Sequence, residues 1–155
     1  MQMLITRNRT FFYSYTLIET VFVLVVTLGM FIFPVFSVAS WQKQMAIEQF
    51  FTQFEHRIYV TQKIAIVNQQ TTTIAYDPNL NQMIFNIPKT MIDWAILKVP
   101  KEIEVKKKEK ISFAAYTGNE SSLKAYEFYW NEKKQTIIYQ FQMGSGHYIK
   151  KIKQE

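Results

Sequence analysis

The chain of 155 residues carries 18 Lys and Arg against 12 Asp and Glu, a formal charge of +6, and no cysteine, so disulfides and thiolate metal sites are excluded. Aromatic residues make up 16% of it, with 13 Phe and 9 Tyr, which argues against a disordered polar chain and for a packed single core.

Residues 1–14, MQMLITRNRTFFYS, hold Arg7 and Arg9 and no acid, which favours retention of this end on the cytoplasmic side of a membrane. From Thr20 to Ser40 no residue is charged, and Val, Phe, Leu, Ile and Met dominate. Such a run of about 20 residues is what a helix needs to cross a bilayer core of roughly 30 Å. Residues 15–40 are therefore expected to form a transmembrane helix with a single span. Glu19 sits directly before the uncharged run, and a carboxylate pressed against an apolar span is costly enough to mark a function. The small residues Val38-Ala39-Ser40 imitate a signal peptidase site, but the apolar run is long for a signal core. Gly29 and Pro34 interrupt the run. Proline removes a helical hydrogen bond and crowds the preceding turn, so a kink or helix break is expected between Met30 and Pro34, although membrane helices also tolerate such residues.

Residues 41–67 turn amphipathic. Ile47, Phe50, Phe51, Phe54, Ile58, Thr61, Ile64 and Ala65 recur at steps of three and four and share one face, with Gln44, Glu48, Gln53, Arg57 and Gln62 mostly opposite. Nothing breaks the pattern between Val35 and Val67, so the apolar and amphipathic halves read as one helix. Phe50, Phe54 and Ile58 are core residues on this reading.

Over 68–155 the period falls to two. Strands are expected at Thr71–Tyr76 and Gln82–Ile87 around an Asp77-Pro78-Asn79 turn, then at Glu102–Val105, Ile111–Tyr116, Leu123–Trp130, Gln135–Met143 and His147–Ile152. Residues 89–101 are less regular, with Trp94 and Ile96 as expected core contacts. Successive short strands with tight turns predict an antiparallel meander. The fold class is thus α+β, a helix packed on a C-terminal antiparallel sheet. Lys98, Lys101, Lys106, Lys107, Lys108 and Lys110 cluster among Glu102, Glu104 and Glu109, and Lys150, Lys151 and Lys153 follow near the end. Lys106, Lys107, Lys108 and Lys110 could meet DNA phosphates, or form a solvated face. His56 and His147 lie far apart, and no HExxH or glycine-rich phosphate loop exists. Neither an enzyme, a metal site nor a cofactor is expected.

Ser14-Tyr15-Thr16-Leu17-Ile18-Glu19 resembles the signal of type IV pilins, a Gly followed by Phe-Thr-Leu-x-Glu. The resemblance implies cleavage by a prepilin peptidase between Ser14 and Tyr15, removal of 1–14 as a leader, N-methylation of Tyr15, and an assembly role for Glu19 against the free amine of a neighbouring subunit. Ser14 and Tyr15 replace the usual Gly and Phe. The passages FFTQFEHRIYVTQKIAIVNQQTTTIAY and YQFQMGSGHYIKKIK, with Gln62, Ala65, Gly144 and Gly146, resemble competence-pilus minor pilins of the ComGD type, related to the H-type pseudopilins. That resemblance implies a pilus subunit at the surface of a Gram-positive bacterium that serves DNA uptake in transformation. Its partners would be the major and other minor pilins, the peptidase and the membrane. Two other readings stay open: a DNA-binding subunit acting through Lys98–Lys110 and Lys150–Lys153, and an unrelated single-pass membrane protein.

Overall fold

A computed structural model describes residues 16–88 and 94–154, excepting the side chains at 33–37 and 39. Helix α1 covers Leu17–Val67 and has Glu19 in its first turn. It is followed by β1 (Thr72–Asp77), β2 (Gln82–Asn86), β3 (Ile96–Lys98), β4 (Ile103–Lys108), β5 (Ile111–Phe113), β6 (Ala125–Trp130), β7 (Gln135–Phe141) and β8 (Tyr148–Gln154). The chain divides into two compact units, one up to Gln42 and one from Lys43, and α1 contributes a segment to each.

In the first unit the helical backbone is continuous on both sides of Gly29 and Pro34. The side chain of Pro34 lies outside the described residues. Among the described residues no helix is long and apolar enough to cross a membrane. The span expected over 15–40 is therefore not found there, since consecutive described side chains of the apolar run end at Ile32.

In the second unit the apolar stripe of α1 makes the core. Ile47, Phe50, Phe51, Phe54, Ile58, Thr61 and Ala65 are buried, as their spacing predicts. Phe54 is the hub: its ring lies 5.1 to 6.1 Å from those of Phe85, Tyr126, Phe128 and Tyr139, all edge-on. Exposed His56 lies on the other side of the helix.

The strands form two sheets rather than the one expected. The first has the order β3-β2-β1-β5 and the second β4-β6-β7-β8, each four-stranded and antiparallel throughout its pairs. The chain changes sheet between β3 and β4, returns for β5, and leaves again for β6, a crossing that a sequence of local hairpins does not reveal. The Tyr126 hydroxyl on β6 donates to the Ile74 carbonyl on β1 at 3.0 Å and so ties the sheets together. Thr72 Oγ1 on β1 donates to the Thr61 carbonyl of α1, also at 3.0 Å.

Two local expectations are corrected. Ile96 is 52% exposed, and Leu97 is the buried residue of β3. Alternation along the strand allows only one of two neighbours to face the core. The strand expected at Ile111–Tyr116 stops at Phe113, where Tyr116 takes φ 68° and Gly118 φ 65° in a tight turn.

Candidate functional site

The described apolar side chains between Leu17 and Ile32 find almost no cover. Leu17 is 82% exposed, Phe22 68% and Phe31 74%. A contiguous uncovered apolar surface of this kind marks a contact with another chain or with lipid. The polar groups within it are satisfied by the helix itself. Thr20 Oγ1 donates to the Leu17 carbonyl at 2.8 Å, and Thr27 Oγ1 to those of Val23 and Leu24 at 2.9 Å. Back-bonded hydroxyls leave the stripe able to enter an apolar medium without stranding a donor. Glu19 stands exposed in the first turn, where the partial positive charge of the helix start favours a carboxylate. Gly29 has open space where a Cβ would be. Ser14 and Tyr15 lie outside the described residues.

Of the lysines expected to meet nucleic acid, Lys106, Lys107 and Lys108 each have a neighbour of their own. Lys106 is the extra residue of a bulge between Val105 and Lys107, and its ammonium lies 4.1 Å from the Tyr129 ring centre. Lys107 pairs with Glu109 at 3.7 Å and stands opposite Glu127 in the register. Lys108 lies over Tyr76 at 5.3 Å, and Lys110 is exposed. Acidic neighbours and aromatic rings divide this region into separate local contacts.

Gln62 of the helix passage and Gly146 of the closing one do meet. Gln62 Nε2 donates to the Gly118 carbonyl at 3.1 Å and lies 3.5 Å from that of Ser145. The amide of Tyr116 donates to the Ala65 carbonyl at 3.3 Å. Gly146 has φ 66°, and a Cβ there would stand 2.2 Å from the Gly118 oxygen. Gly144, by contrast, has φ 76° but nothing near a Cβ. This junction fastens the end of α1 to the loops before β6 and β8.

Sequence reasoning missed three polar anchors: the partners of Glu55 and Arg57 are remote along the chain, and those of Glu120 are ordinary polar residues nearby. Glu120 is wholly buried, accepting from the Ser112 amide at 2.6 Å and the Ser122 hydroxyl at 2.8 Å, with Lys124 at 3.3 Å. Glu55 Oε1 accepts from both the Tyr139 hydroxyl and the Lys150 ammonium at 2.7 Å. Burial first, and then the bond to Glu55, push the Tyr139 hydroxyl far above its usual range. Arg57 donates to the Trp94 and Ile96 carbonyls, and burial lowers its pKa. A hollow of about 540 Å³ lies beside it, lined by Thr52, Gln53, His56, Val60 and Trp94. In that lining the Thr52 hydroxyl donates to the Glu48 carbonyl of its own helix at 2.9 Å. Among the described residues no three His, Asp or Glu side chains gather as a metal site.

The chain is similar to a curated protein, competence protein ComGD of Streptococcus pneumoniae (strain ATCC BAA-255 / R6). Identity is 37% over 111 residues, which make up 70% of this chain and 61% of that relative. The chain thus spans less than two thirds of the length of the curated relative it matches. No family model matches it. No solved structure matches it either.

Proposed function

We propose that the chain, 37% identical over 111 residues to the competence protein ComGD, is a minor pilin of a competence pilus, held in the membrane and then assembled through its N-terminal helix. The observation that carries this reading is the uncovered apolar surface from Leu17 to Ile32 with Glu19 at its start. An apolar helix without cover is unstable in water, and packing with the equivalent helices of other pilins would bury it. Glu19 would then pair with the free amine that cleavage between Ser14 and Tyr15 creates on a neighbouring subunit. Two opposite charges entering an apolar core together offset part of each other's desolvation cost.

The leader with Arg7 and Arg9, the uncharged run from Thr20 to Ser40 and the Ser14–Glu19 motif support a subunit stored with its N-terminus on the cytoplasmic side. A prepilin peptidase would then process it, N-methylation of Tyr15 would follow, and the subunit would be displayed at the cell surface. Its role would be structural, in a pilus that brings DNA into the cell, and not catalytic. Replacing Glu19 by Ala tests the assembly step. The variant is expected to be processed normally but to be lost from sheared pilus fractions, and undiminished recovery there would refute the role given to Glu19.

A further inference from the structure

Strand β8 ends the second sheet, and among the described residues nothing pairs with its far side. The direction of its backbone groups follows from one bond. The Gln142 amide donates to the His147 carbonyl at 2.8 Å, and this pair is the next step of the register Phe141↔Tyr148. Antiparallel strands alternate between residues that turn both backbone groups to the partner and residues that turn both away. Ile149, Lys151 and Lys153 therefore face β7 through the backbone. Tyr148, Lys150, Ile152 and Gln154 offer their N–H and C=O groups to the open edge.

The side chains decide what that edge can accept. Lys150 is held by Glu55 on the α1 side of the sheet. Lys151 and Lys153 stand two residues apart on the other face, with Lys151 only lightly held by Gln140 at 3.1 Å. The strand, YIKKIKQ, has no acid, no proline and no bulge in its pairing with β7. Pairing of β8 with a second copy about its middle would set lysine against lysine, which natural sheet edges use to prevent self-association. The same two charges favour a strand that presents carboxylates at alternate positions.

We infer that β8 is a docking edge for an extended segment of another protein that carries two carboxylates two residues apart and adds to the second sheet as a further strand. This stands on the edge geometry and charge alone and does not require the pilus reading. The test uses the full chain in detergent micelles and a labelled peptide, acetyl-Thr-Val-Glu-Val-Glu-Val-Thr-amide, beside a version with Lys in place of both Glu. The Glu peptide is expected to bind at least about tenfold more tightly than the Lys peptide. On binding, the amides of Lys150 and Ile152 should gain protection from hydrogen exchange. Ile152→Pro removes an outward donor without touching a bond to β7 and should abolish binding, since edges tolerate proline. Lys151→Glu with Lys153→Glu leaves the backbone intact and should reverse the peptide preference. Equal binding of both peptides would overturn the inference. So would binding that survives Ile152→Pro and yields to duplex DNA, which would make the lysines a phosphate surface. Self-association abolished by Ile152→Pro, with no response to either peptide, would assign the edge to a second copy and overturn it as well.

Discussion

Gly146 shows how little room the junction at the end of α1 leaves. Its positive φ is one constraint, and the Gly118 oxygen lying 2.2 Å from a would-be Cβ is a second, harder one. Gly146→Ala should therefore cost at least about 2 kcal/mol in thermal unfolding. Gly144→Ala pays only for φ and should cost about 1 kcal/mol. Equal losses at the two glycines would mean that the Gln62 junction does not hold the loop. The motif made both glycines visible in the sequence, but only the contact separates them. Glu120 gave no signal at all, since its partners Ser112, Ser122 and Lys124 read as ordinary polar residues of turns and strand ends.

At the scale of elements, the helix was the most legible part. Steps of three and four identified the face from Ile47 to Ala65, because one hydrophobic stripe buried against the sheets leaves that period in the sequence. Phe54→Ala removes the ring shared by Phe85, Tyr126, Phe128 and Tyr139 and should cost about 3 to 5 kcal/mol in denaturant unfolding. A loss below about 1 kcal/mol would displace Phe54 from the centre of the core. All strands but β3, which falls in a stretch without a regular period, were legible one by one, while their division into two sheets was not, because pairing partners such as β1 and β5 are separated by other strands. Tyr126 on β6 and Tyr139 on β7 add a pH dependence. Burial, the first cause in both, raises each hydroxyl above its ordinary value of 10.0. Above that pH the unfolded chain loses these protons while the folded chain keeps them, so stability is complete below pH 10 and declines as pH rises. The unfolding free energy measured in urea should fall above pH 10 by up to about 1.4 kcal/mol per pH unit for each tyrosine. Tyr139→Phe should flatten that slope, and an unchanged slope would show that Tyr139 ionises freely in the fold.

For the whole molecule, the two units carry different parts of the account. The first presents an apolar helix, and the second a packed domain whose lysines are dispersed among acids and rings. Replacing Lys106, Lys107, Lys108 and Lys110 by Gln is expected to leave duplex DNA retention by the full chain within a few fold. A steep loss, with the slope of log affinity against log salt falling by about three or more, would make them phosphate contacts. The Ser14–Glu19 motif was legible in the sequence because it is a short linear pattern, and it is also where the central claim is most exposed. Mass spectrometry of the N-terminus, in cells with and without a prepilin peptidase, tests it directly. With the peptidase the mature chain should begin at N-methylated Tyr15, and without it the leader 1–14 should remain. A chain that keeps residues 1–14 in both cells would contradict the assignment as a pilin.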